Sequence, residues 1–151
     1  MFSPDDTIVA IATPPGRGGI GVVRISGVDA ARVAATLLAH ASTLEPRRAI
    51  LTRLVDLTPA KHASVDLHDA PVRARDTADE VVATFFPAPH SYTGQDVVEI
   101  SAHGSPVILR GIVERSVEAG ARLAEPGEFT LRAFLAGKLD LSVDHGVLGQ
   151  H

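Results

Sequence analysis

The chain has 151 residues, 45% of them apolar and 21% charged, a balance that fits one ordinary globular domain, or one domain plus a fragment, and excludes a disordered chain. A formal net charge of −4 argues against a nucleic-acid grip made by this piece alone, because phosphate binding needs a net basic face. The absence of cysteine excludes disulfides, thiolate catalysis and Cys-based zinc sites, and no membrane span or secretory leader is visible, so a soluble, cytoplasmic protein is expected.

Ile8–Ala12 is an apolar run of strand length, broken by Thr13-Pro14-Pro15-Gly16-Arg17-Gly18-Gly19. Gly21–Gly27 reads as a second strand. Asp29 is placed to cap a helix over 30–41, with Val33, Leu37 and Leu38 on one face. Residues 49–57 alternate weakly and suggest a strand. From 58 to 79 the pattern fails and a long surface loop is expected. Glu80–Phe86 is a clear strand ended by Pro87 and Pro89, and Asp96–Ala102 is another. Ser105 and Pro106 open a helix to about Ala119, stopped at Gly120. Ala121–Ala124 suggests a short strand, and Glu125-Pro126-Gly127-Glu128 starts a helix carrying Phe129, Leu131, Phe134 and Leu135. Strands and a few helices in this mixed order predict an α+β fold with a mixed, mostly antiparallel sheet and packed helices. Lys138–Ser142 looks like the approach to a further helix, which the two glycines of 143–151 do not support.

The stretch Pro89–Pro106 carries most of the chemistry. It combines a turn, a short strand with a carboxylate on it and a Pro-started helix, and reads as a site built on a strand end. Glu99, between Val98 and Ile100, can accept two N–H donors at once, as from a guanidinium or an amino-pyrimidinone ring; it is equally explained as an exposed strand residue. Arg24 shares a strand face with Val22 and Ser26, where surface arginines are common. His103 and Gly104 precede a helix N-terminus that favours an anion, though Ser105 capping would explain the pattern too. Lys138 suits a helix C-terminus by its charge alone. The glycine-rich turn 16–21 lacks both the Gly-Lys-Ser/Thr ending of a P-loop and the Rossmann spacing. It is either a plain β-connection or a backbone that lets a ligand or partner come close. The seven histidines show no i, i+4 pair for a metal, and Ser91, Tyr92 and Thr93 lack the partners of acyl-transfer chemistry, so no catalytic or metal residue is assigned.

Taken in order, Asp6–Ala10, Ala12–Gly21, Arg24–Gly27, Phe86–Gly94, Asp96–Ile100, His103-Gly104, and Gly127-Glu128-Phe129 through Lys138-Leu139-Asp140-Leu141 resemble the N-terminal domain of the MnmE (TrmE) family of tRNA-modification GTPases. The resemblance runs from residue 6 to 142; the middle, about 43 to 79, matches less well and is longer than usual, and Gln95 stands where the family more often has an acid. It implies a fold similar to the tetrahydrofolate-binding domains of aminomethyl-transfer enzymes. It also implies a homodimer that binds a one-carbon donor, 5-formyltetrahydrofolate or 5,10-methylenetetrahydrofolate, with the folate contacts falling on Arg24, Glu99 and Lys138. Residues 1–123 would form this domain and 124–151 the start of a helical one. In the full-length family a GTPase domain follows, and a flavoprotein and tRNA are partners in modifying the wobble uridine. No such GTPase segment lies within these 151 residues, so the piece alone is expected neither to hydrolyse GTP nor to complete the modification. The alternative is a structural oligomerisation module without a ligand.

Overall fold

The structure, a computed structural model, describes residues 3, 5–16, 18–39, 44–55, 57 and 79–139. Expectations for the 58–79 loop up to residue 78, for the tail from 140 and for Arg17 lie outside the described residues.

Six strands and three helices follow one another as β1 (Ile8–Ile11), β2 (Ile20–Ser26), α1 (Ala30–Ala35), β3 (Ala49–Arg53), β4 (Glu80–Phe86), β5 (Val97–His103), α2 (Pro106–Glu118), β6 (Arg122–Leu123) and α3 (Glu128–Leu135). The fold is therefore α+β, as expected. The strands form one sheet in the order β3-β4-β5-β2-β1-β6. Every pairing is antiparallel except β1 with β6.

Period-two alternation assigns the two faces. On one, Val9, Val23, Ile25, Val81, Ala83, Val98 and Ile100 are fully or almost fully buried and join Val33, Leu109 and Ile112 of α1 and α2 in one core. α2 lies so close to β2 at Gly21 that any Cβ there would collide with Leu109. The other face carries three cross-strand rows. Leu51, Val82, Ser101 and Val22 form the first; Ala49, Thr84, Glu99, Arg24 and Ala10 the second; Phe86, Val97, Ser26 and Ile8 the third. The third row is covered at Val97, Ser26 and Ile8, which are buried, whereas Leu51 at the opposite end is 69% exposed. The second row lies between the closed and the open end of this face.

Two expectations are corrected. The helix predicted over 30–41 ends at Ala35. Leu37 and Leu38 leave it because β3 needs partners at its end: Val55 N–H donates to the Leu37 carbonyl at 2.8 Å, Ala39 N–H to the Arg53 carbonyl at 2.8 Å, and Leu38 bridges to Leu54. Both leucines are still buried, so the core satisfies the same side chains in a non-helical backbone. Asp29 stands at the N-cap position, but its carboxylate makes no cap bond. It accepts from Arg32 Nε at 3.1 Å instead, while its own N–H donates to Thr7 Oγ1 at 3.0 Å.

Candidate functional site

Arg24 and Glu99 face each other across the β2–β5 ladder, in direct register. Cross-strand neighbours on one face stand close enough for side-chain pairing. Here two of the three guanidinium nitrogens converge on one oxygen: Arg24 Nε donates to Glu99 Oε1 at 2.9 Å and an Nη lies 2.7 Å from the same atom. Glu99 Oε2 has no hydrogen-bond partner among the described residues, and about a quarter of each side chain remains open to solvent.

Two aromatic rings fix the guanidinium. Its central carbon lies 4.9 Å from the centroid of Tyr92 and 5.7 Å from that of Phe129. Such contacts are each worth about 0.5–1 kcal/mol when partly exposed. Arg24 thus spends its edge on Glu99 and its flat faces on rings, and acts as a clamp that orients the carboxylate. Tyr92 is 41% exposed and reaches Thr130 of α3 through its hydroxyl at 3.4 Å.

The loop between β4 and β5 is fastened at nearly every residue. Ala88 N–H donates to Asp96 Oδ1 at 2.8 Å, and Ser91 Oγ donates to the Gln95 carbonyl. Thr93, 1% exposed, shares a 2.7 Å hydroxyl–hydroxyl bond with Ser26, two residues along β2 from Arg24. Gly94 adopts φ +78°, a left-handed conformation that side chains resist. A Cβ there would lie 2.7 Å from Ala136 Cβ and 3.8 Å from Lys138 Cε, so Lys138 extends over this turn. Lys138 is set there by the end of α3: Gly137 has φ +68° and Lys138 N–H donates to the Ala133 carbonyl at 2.8 Å, a Schellman-type stop.

Behind the site lies a charge cluster that the sequence pattern did not expose. Glu128, 3% exposed, accepts from Arg122 at 2.8 and 3.1 Å, from Arg132 at 2.9 Å and from the Glu125 N–H at 2.8 Å. Burial alone would raise the Glu128 carboxyl, but the Arg122, Glu125 and Arg132 donors outweigh it and bring its pKa down from 4.5 to about 2. Arg122 is held above its ordinary range chiefly by its hydrogen bonds to Glu128, and it also donates to Asp6 Oδ2 at 3.0 Å. Arg132, equally buried, donates to the Asp6 carbonyl at 2.7 Å, to Gln95 Oε1 at 2.8 Å and to the Ser3 carbonyl at 2.9 Å.

The remaining expectations separate from this place. His103 is exposed, with Nδ1 3.9 Å from Asp79 Oδ1. Ser105 caps α2 by position without a side-chain bond. The glycine-rich turn folds onto the end of β5, where a Cβ on Gly104 would strike the Gly18 carbonyl; the backbone it admits closely is its own. Among the described residues no three His, Asp or Glu side chains converge on a point, and no helix is long and apolar enough to cross a membrane. Arg24 and Glu99 are in contact and Lys138 abuts the loop that carries Tyr92. From sequence, Tyr92 is noted only to set acyl-transfer chemistry aside and Gln95 only as a departure from the family pattern, and Phe129, Glu128 and Arg132 have no site role; the dense turn chemistry of 89–96 was the available signal for Tyr92 and Gln95.

The family described as the GTP-binding protein TrmE N-terminus matches residues 7–138 of this chain. The chain belongs to that family. Among similar proteins, one named tRNA modification GTPase MnmE from Koribacter versatilis is 50% identical over 141 residues, covering 91% of this chain and 28% of the relative. The MnmE of Nitrosomonas europaea is 46% identical over 146 residues, 97% of this chain and 28% of the relative. That of Thiobacillus denitrificans is 47% identical over 137 residues, covering 91% and 27%. The chain thus spans under a third of the length of the MnmE relatives it matches.

Proposed function

We propose that this chain is the folate-binding module of a tRNA-modifying GTPase, taking 5-formyl- or 5,10-methylenetetrahydrofolate at the Arg24–Glu99 pair. The observation that carries this reading is a carboxylate clamped through Oε1 by an arginine that packs on two rings, one of them a half-exposed tyrosine, with Oε2 unpaired among the described residues. The donor set fits the cofactor. A ring N–H and an adjacent amino group need a fixed carboxylate as acceptor, a flat heterocycle suits an aromatic neighbour, and Lys138 can meet an anionic group. When bound, the cofactor supplies a one-carbon unit. The chain's own residues bind and orient it: Glu99 accepts, Arg24 holds Glu99 aimed, and Lys138 offsets negative charge at the Gly94 turn. The likeness to folate-binding domains of aminomethyl-transfer enzymes, the wobble-uridine reaction, the partner flavoprotein and tRNA, and a cytoplasmic site of action all belong to this proposal.

The test is calorimetric titration of the purified chain with 5-formyltetrahydrofolate. Losing a hydrogen-bonded charge costs about 1.5–3 kcal/mol, so Glu99→Ala should weaken binding about tenfold to a hundredfold. Unchanged affinity in that variant sinks the assignment.

A second reading, an oligomerisation module, is favoured by the open row of the sheet. Leu51 and Val82 are cross-strand neighbours on the face without α1 and α2, and they are 69% and 36% exposed. Apolar side chains contiguous on such a face mark a contact surface. The two readings are compatible, since a homodimer through this row would border Arg24 and Glu99. A dimer by sedimentation that Leu51→Glu dissociates, with no folate binding in the parent, would leave only the second.

A further inference from the structure

We infer that Gln95 and Arg132 are positioning residues for the Arg24–Glu99 site: their hydrogen bond sets the 91–96 loop against α3 and so places Tyr92 on the Arg24 guanidinium. The inference rests on the folate reading only for the identity of the ligand; the placement itself is read from the chain.

The site borrows its parts from two segments with no covalent reason to stay in register. Tyr92 and Gly94 come from the loop before β5, whereas Phe129, Thr130 and Lys138 come from α3 and its C-terminal turn. The sheet supplies only Arg24 and Glu99. Arg132 joins the segments. One of its nitrogens donates to Gln95 Oε1 at 2.8 Å and to the Asp6 carbonyl at 2.7 Å, while the other donates to Glu128 Oε1 at 2.9 Å and to the Ser3 carbonyl at 2.9 Å. Gln95 Oε1 also lies 3.5 Å from Ser26 Oγ, which continues the link into β2. A planar guanidinium can fix four acceptors in one arrangement, which a lysine cannot. Because Arg132 is 3% exposed, the fork is shielded from solvent. The residues it holds lie close in sequence to those that touch Arg24: Gln95 is three residues after Tyr92, and Glu128 precedes Phe129.

Tyr92 is the one tyrosine of the chain and there is no tryptophan, so the tyrosine band of the near-UV circular dichroism spectrum reports its packing alone. The experiment compares the parent chain with Gln95→Leu, Gln95→Ala and Gln95→Glu, recording this band without ligand and the affinity for 5-formyltetrahydrofolate. Gln95→Leu and Gln95→Ala should lose at least half of the band and bind at least tenfold more weakly. Gln95→Glu, which restores an acceptor for Arg132, should keep both within twofold of the parent. A band unchanged in the Leu and Ala variants overturns the inference, as does parent-like affinity in either of them. If the parent itself does not bind the folate, the functional reading fails, and the band and its rescue by Gln95→Glu alone decide the positioning role.

Discussion

Glu128→Gln is the most informative single change for stability. The carboxylate accepts on both oxygens: Oε1 receives Arg122 and Arg132, and Oε2 receives Arg122 and the Glu125 N–H. An amide in this place turns one of those two acceptors into a donor whichever way it flips, so two of four bonds fail in either orientation. Arg132, with only 2% of its side chain exposed, loses its counter-charge as well. A carboxyl lowered from 4.5 to about 2 corresponds, at about 1.36 kcal/mol per pH unit, to about 3.4 kcal/mol of preference for the charged form. We therefore expect the substitution to cost about 3 kcal/mol at neutral pH. The sign follows from linkage. The folded value lies below the unfolded one, so the stabilisation is complete above about pH 4.5 and is lost as pH falls towards 2. Urea unfolding at neutral pH and at about pH 3 checks both parts. The parent should lose stability on acidification, while the variant, already without this charge, should lose less. A cost below about 1 kcal/mol, or equal losses on acidification, would refute the reasoning.

Gly94→Ala should destabilise by about 2 kcal/mol, combining the left-handed penalty with the 2.7 Å contact to Ala136 Cβ, and should weaken ligand binding through the displaced Lys138; urea midpoints and titration read the two effects. Ile112→Ala, which empties a fully buried position beneath the sheet, should cost about 2–5 kcal/mol by thermal or urea unfolding while leaving the tyrosine band in place.

The strands were legible because their chemistry is local. β4 begins and ends where its β-branched and aromatic run does, and α2 starts where Pro106 fixes the backbone. The length of α1 was not legible, because Leu37 and Leu38 are helix formers recruited by hydrogen bonds to the end of β3, a tertiary demand that no window around them contains. The site was half legible. Arg24 and Glu99 stood out as charges inside apolar strands, but their pairing depends on a register across 75 residues. The cluster behind them was hidden for the same reason: Arg122 looks like an ordinary charge of a short strand, and Glu128 and Arg132 like those of a surface helix, until the chain brings Asp6 and Gln95 to them.

The parallel pairing of β1 with β6 also bears on synthesis. Arg122 N–H donates to the Thr7 carbonyl and Ala124 N–H to the Val9 carbonyl, and the Arg122–Asp6 ion pair spans 116 residues. At about 5–20 residues per second, a ribosome takes about 6–23 s to make that interval. Throughout it the outer edge of β1 lacks the strand that will cover it, and such an edge invites pairing with other nascent chains. The two residues of β6 are short as a strand, yet they cover the edge that β1 leaves open.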